Sequence, residues 1–154
     1  MTILRDILTV FSLAAACWCA PAAMAQPAAA TPMAAPAGLY QALGEKPGIT
    51  RLMDDFVNRV VLDPRIGGHF KDVKPQALKE SLTDQICQLS GGPCKYEGAD
   101  MKSAHADMDI NKGHFNALVE LLQSAMDAQG IPFAQQNRLL ALLAPMHRDV
   151  ITIR

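Results

Sequence analysis

The sequence predicts an all-α domain, and three observations carry that reading. Four stretches of the chain repeat apolar residues at helical spacing. No run alternates apolar and polar residues with period two over five or more positions, so a sheet is not expected. Glycine and proline fall between the periodic stretches, where helices begin and end. The first stretch places Ile49, Leu52, Met53, Phe56, Val57, Val60 and Val61 on one face and stops at Asp63-Pro64. The second carries Leu78, Leu82, Ile86 and Leu89, with Pro75 suited to its first turn, where a missing N–H costs nothing. The third carries Phe115, Leu118, Val119, Leu122 and Met126 and closes at Gly130. The fourth runs from Pro132 through Leu139, Leu140, Leu142, Leu143 and Met146 to Val150.

The folded part is shorter than the chain of 154 residues. Residues 1–25 have the layout of a secretory signal: Arg5 in a short first region, an apolar stretch from Ile7 to Cys19, and Ala23-Met24-Ala25 as a small-x-small cleavage site. That stretch falls short of the roughly 20 residues that span a bilayer, which favours a cleaved signal over the alternative of a retained anchor or lipoprotein, with no membrane insertion after cleavage. Residues 26–38, including PAAATPMAAPAG, have no charge and no periodicity and read as a flexible linker. The domain is expected over 39–154, in a periplasmic or secreted protein and as a monomer.

Composition narrows the function classes. A net charge of −1 and a sequence pI near 6.4 leave no basic excess for nucleic acid. Half the residues are hydrophobic, enough for a packed core. Signal removal takes away Cys17 and Cys19, and the remaining pair, Cys87 and Cys94, is a disulfide candidate in an oxidising compartment. Two unpaired thiols are the other reading. No Cys-x-x-Cys-His occurs, which excludes ordinary c-type haem attachment.

Between the second and third helices, Gly91 to Asn111 has room for one or two helical turns. Tyr96, Met101, His105, Met108 and Ile110 are too many anchors for a disordered loop, so something should hold this segment in place. Of the four histidines, His69 sits in a Gly-rich turn, His114 opens the third helix, and His147 lies beside Arg148 and Asp149 in the last. His105 shares a short helical face with Met101 and Met108, with no second histidine or cysteine at zinc spacing. Such a residue is ordinarily structural. It also suits a metal that brings its own remaining ligands, as haem iron does.

From Leu39 to Val150 the chain resembles the group I truncated haemoglobins. The matching words are Leu39-Tyr40-x-x-x-Gly44, Asp54-Asp55-Phe56, Asp63-Pro64-Arg65-Ile66, His69-Phe70, Leu78-Lys79, Gly91-Gly92-Pro93, Tyr96-x-Gly98, Met101-Lys102-x-x-His105, Phe115 and Gly130-Ile131-Pro132. The resemblance implies a 2-on-2 globin fold around haem b, with His105 as the proximal iron ligand and Phe70 packed on the porphyrin face. It also implies a pocket lined by Phe56, Val57, Leu78, Leu82, Ile86, Met101, Phe115, Val119, Leu143 and Met146.

The chain departs from that family in its distal groups. Val57 stands where many members have a tyrosine, Leu82 where they often have a glutamine, and Leu78 offers no hydrogen bond at the usual gate. Bound O₂ draws negative charge, so losing a donor in a dry pocket weakens retention by about 1–3 kcal/mol. Gln85, one turn further along, is the residue that would restore a donor. His147 matches a last-helix histidine that some cyanobacterial relatives link covalently to haem, although the register slips by one residue. His69 as an internal sixth ligand is a weaker idea, since it immediately precedes the packing phenylalanine. The expected function is reversible binding of O₂, NO and CO. In an oxidising compartment ferric haem should accumulate, which shifts weight from oxygen storage toward ligand sensing, NO handling or redox chemistry with a periplasmic redox partner. The alternatives are an NO dioxygenase or peroxidase-like enzyme on the same haem, which would need the missing polar groups, and a cofactor-free helical adaptor.

Overall fold

The computed structural model describes residues 35–153. The expected signal and most of the linker lie outside the described residues. Among the described residues there are only helices, turns and loops. In chain order the helices are α1 (Leu39–Ala42), α2 (Glu45–Leu62), α3 (Pro75–Leu89), α4 (Met101–His105), α5 (Lys112–Ala128), α6 (Phe133–Leu143) and α7 (His147–Val150). Short 3₁₀ turns occupy Gly67–Phe70 and Ala144–Met146.

Local chemistry explains most of these boundaries. α2 follows Gly44, whose φ of 79° suits a residue without a Cβ. It runs until Asp63, which leaves helical geometry immediately before Pro64. Pro75 opens α3. At the other end of α3, Gly91 has a φ of 89° and its N–H donates to Gln88 O (3.1 Å), while Gly92 N–H donates to Cys87 O (2.8 Å). This pair of reversed bonds satisfies carbonyls that a helix end leaves open. α5 closes in the same manner: Gly130 has a φ of 67°, its N–H reaches Asp127 O (2.9 Å), and Ile131 N–H reaches Met126 O (3.0 Å).

The fourth periodic stretch is broken where a continuous helix was expected. α6 stops at Leu143 and the chain turns through Ala144–Met146 before α7. Pro145 has no N–H to continue the helical ladder, so apolar periodicity survives the break while the helix does not.

The core is formed by α2 laid against α3 and α5, with α1 and α6 closing one side. Leu39, Ile49, Leu52, Met53, Val57, Val60, Met126 and Leu139 are almost completely removed from water. Each such side chain contributes about 1.5–3 kcal/mol of transfer free energy. Ion pairs join α2 to α3 at the rim, Lys46 to Asp84 (3.0 Å) and Lys79 to Asp54 (2.7 Å). Arg65 connects the turn after α2 to α5 through Glu120 (2.6 Å) and holds the Asp63 carboxyl below the usual range. Apart from Asp63 and Lys79, which are partly buried, these groups are exposed, and such exposed pairs add little to stability. No helix among the described residues is long and apolar enough to cross a membrane.

Candidate functional site

A cavity of about 570 Å³ lies between α3, the loop and short helix of residues 96–105, α5 and the end of the chain. Its wall is mainly aliphatic and aromatic. The polar side chains on it are Ser81, Gln85, Tyr96 and His105. A large apolar hollow with few polar groups is the usual form of a cofactor site.

His105 is the last residue of α4 and is half-buried. Its Nδ1 lies 2.7 Å from the carbonyl oxygen of Met101, one turn earlier. A carbonyl can only accept, so Nδ1 carries the proton and Nε2 keeps its lone pair. An imidazole fixed in this manner is pre-arranged as a metal ligand, because the bond orients the ring and raises its basicity. α4 itself is placed by Asp100, whose carboxylate accepts the Ser103 N–H (2.9 Å) and the Ser103 hydroxyl (2.7 Å). Those bonds hold the Asp100 carboxyl below its ordinary pKa. α4 also packs on α7. The chain end is secured beside it, since Thr152 N–H and Ile153 N–H both donate to Ile110 O (2.9 and 3.1 Å).

The structure brings together most of the residues that the sequence singled out. Phe70, Leu78, Leu82, Gln85, Met101, His105, Phe115, Val119, Leu143 and Met146 all line the cavity. Phe56, Val57 and Ile86, expected on the same wall, are packed in the helix-to-helix core instead and are not among the lining residues. The reason is geometric: α2 turns that face onto α3 and α5, and helical periodicity does not distinguish a core face from a cavity face. Val57 is fully buried, so the position is closed as well as apolar.

Gln85 is buried, and its Nε2 has only a long contact with the Met101 sulfur (3.8 Å). Tyr96, read from the sequence as an anchor of its segment but not as a pocket residue, also reaches the cavity. Its hydroxyl donates to Ala99 O (2.9 Å) and its N–H to Gln88 Oε1 (2.6 Å). Val73, Leu118, Leu140 and Val150 also line the wall. The helical stripes contained Leu118, Leu140 and Val150, but nothing local marked them as pocket residues.

The other histidines lie off the main cavity. His69 faces His114, Nε2 to Nδ1 at 3.1 Å, beside a second hollow of about 50 Å³ that His105 also borders. Its partner is therefore another imidazole, which leaves no support for a sixth-ligand role. His114 completes the α5 cap with Asn111, whose Oδ1 accepts the His114 N–H (2.9 Å). His147 stacks edge-on against Phe115, with ring centroids 4.7 Å apart, and only Phe115 of that pair reaches the cavity. Cys87 and Cys94 are joined as a disulfide, with Cα atoms 5.7 Å apart.

Comparison with known proteins fits this arrangement. The sequence model of the family described as "Bacterial-like globin" matches residues 38–152. A group 1 truncated hemoglobin of Synechocystis is 32% identical over 119 residues, covering 73% of this chain and 96% of that protein. The chain is a group 1 truncated haemoglobin. A second such globin, from Mycolicibacterium paratuberculosis, is 29% identical over 119 residues, 77% of this chain and 88% of its own length. The solved truncated hemoglobin of Tetrahymena pyriformis, in its Fe(III) form, superimposes with a TM-score of 0.71 at 26% identity, covering 73% of this chain and 97% of that one. The 2/2 hemoglobin of Synechococcus, which carries a covalently attached heme, shares the fold with a TM-score of 0.70 at 21% identity, over 75% of this chain and 98% of its own. The 2-on-2 architecture of this truncated haemoglobin thus rests on sequence and on shape together.

Proposed function

We propose that this truncated haemoglobin holds haem b in the 570 Å³ cavity with His105 Nε2 as the axial ligand, and binds diatomic gases there. The observation that carries the reading is the Nδ1 bond of His105 to the Met101 carbonyl, at the edge of an apolar cavity. The bound haem would supply an iron able to take O₂, NO or CO reversibly. The residues of the chain do the rest. Phe70, Leu78, Leu82, Phe115, Val119, Leu143 and Met146 present apolar surface to a flat macrocycle and exclude water from it. Gln85 is the amide nearest to serving as a hydrogen-bond donor, since its Nε2 has two protons and only a thioether contact.

With Val57 closed into the core and Leu78 and Leu82 on the wall, O₂ is retained with little polar help. Its release should be roughly 5- to 150-fold faster than in relatives with a tyrosine donor, the kinetic equivalent of about 1–3 kcal/mol. Stopped-flow release as slow as in those relatives would remove this part of the reading. The same poverty of polar groups argues against NO dioxygenase or peroxidase chemistry. Covalent attachment through His147 is not favoured by its position behind Phe115, and acid-acetone extraction would show it as haem retained on the polypeptide.

Absorption spectra of the ferric, ferrous and CO forms test the central claim. A Soret band is expected in each. His105→Gly should abolish or scramble haem binding, with recovery on adding imidazole. A colourless wild-type protein, or an unchanged spectrum in H105G, would overturn it.

We further infer export, with cleavage after Ala25. Support comes from the order of Arg5, the apolar stretch and Ala23-Met24-Ala25, and from a disulfide suited to an oxidising compartment. The mature protein should begin at Gln26 by intact mass; a full-length mass in an export-competent host would refute it.

A further inference from the structure

The walls of the cavity are connected by a single covalent cross-link, and it lies outside the cavity. Cys87 is on α3, two residues beyond the wall residue Gln85, and is fully buried. Cys94 is in the irregular segment between Gly91 and Asp100, two residues before the wall residue Tyr96. That segment leads directly into α4 and His105. It has no secondary structure of its own, and its ties to α3 are few. They are the Gly91 and Gly92 N–H bonds at the helix end, the Tyr96 N–H bond to Gln88 Oε1 (2.6 Å), and the disulfide. The backbone at Gly92 is pressed so close to Cys87 Sγ and the Tyr40 ring that a Cβ there would collide with both. The cross-link is thus seated in packed protein at one end and attached to a weakly held strap at the other.

We propose that the Cys87–Cys94 disulfide is a redox-operated latch on the cavity: oxidised, it holds the 93–100 strap and α4 against α3; reduced, it releases them and loosens the grip on the bound haem. This rests on the proposed haem site. The reductant is a dithiol. Its thiolate attacks Cys94 Sγ, the more accessible sulfur, and the Cys94–Cys87 bond breaks, so that Cys87 leaves as a thiolate and takes a proton. The second thiol of the reductant then resolves the mixed disulfide, freeing Cys94 as a thiol. Two electrons reach the two cysteines, and the dithiol ends as a disulfide. The rest of the core does not depend on this bond, because α2, α5 and α6 are held by apolar burial.

The test compares the holoprotein before and after treatment with dithiothreitol, with freed thiols capped by iodoacetamide and counted by mass. Both samples are then brought to the ferric state, and haem transfer to excess apomyoglobin is timed. Reduction should speed haem loss roughly 5- to 50-fold, within the range typical of coupled sites. C87S/C94S should lose haem at the fast rate and show no response to the dithiol. Two freed thiols per chain with an unchanged rate would overturn the latch. Hydrogen exchange provides a second reading that does not need haem. Amides 93–105 should lose clearly more protection on reduction than those of α2 and α5, whose protection falls only by the loss of global stability. Equal exchange in both forms, or the same loss of protection at every amide, would overturn the latch as well. A protein that holds no haem in either form would refute the haem assignment alone, since the exchange result still decides the latch.

Discussion

The α2–α3–α5 core and the segment from Gly91 to Asn111 are built by different physics. In the core, Leu52, Met53, Val57, Val60 and Met126 are closed to water, and the stabilising term is apolar burial. In the segment, no residue of α4 is buried and the 93–100 stretch has no helix or strand. Its order comes from discrete bonds: the disulfide, the Asp100 cap, the Tyr96–Gln88 bond and the strap of Ile110 to the chain end. The histidine proposed to hold the iron, His105, sits in the second region. A scaffold that tolerates little change therefore carries a site whose geometry rests on a few individually modest interactions, and the site should respond to changes that the scaffold ignores.

That contrast is broken or sharpened by five variants, beginning with the largest expected effect and its control and ending with the smallest. Leu52→Ala in the core should cost about 3–5 kcal/mol of global stability, read from urea unfolding of the apoprotein. His105→Gly, which destroys the proposed site, should stay within about 1 kcal/mol of wild type in the same assay. Equal losses would mean that scaffold and site are not separable. Opening the disulfide in Cys94→Ser should remove about 2–3 kcal/mol by relaxing a short closed loop in the unfolded chain. A lower urea midpoint with a slightly steeper slope is the expected form, because the unfolded chain without the cross-link exposes more surface.

Gln85→Leu should speed O₂ release about 5- to 10-fold if its amide reaches the ligand, the equivalent of one ordinary hydrogen bond. An unchanged off-rate would leave the cavity without a donor from that position. The smallest effect is acidic. The Asp100 carboxyl is held below its ordinary pKa by the Ser103 N–H and hydroxyl, so its contribution to α4 is complete above the usual carboxylate range. It disappears as pH falls through the lower folded-state value. Between neutrality and about pH 5 the cap should be indifferent to pH, and below about pH 4 it should begin to fail. Asp100→Asn, which retains an acceptor without the titrating proton, should flatten that acid limb of haem retention. An acid limb identical in D100N would assign it to other carboxylates.

Much of this was legible before any coordinates. The helical stripes located α2, α3 and α5, and Gly91-Gly92-Pro93 and Gly130 marked their ends, because caps and breakers act over a few residues. Pro145 was in plain view, but the apolar stripe ran through it and hid the break between α6 and α7. The position of His105 among anchors in a loop was readable. Its bond to the Met101 carbonyl was not, because that needed the ring orientation.

By itself, the chain determined its helices, their caps, the absence of alternating strands, and a lone histidine in a segment that had to be held by something. Those properties follow from spacing along the backbone, and spacing is written in the sequence. Only tertiary packing decided which apolar residues enclose the cavity and which enclose each other. It sent Leu82 to the cavity wall and Val57 and Ile86, from similar stripes, into the core. It also set the two cysteines on opposite sides of one seam. These outcomes depend on where helices cross, and a crossing is set by residues far apart in the chain meeting at close range.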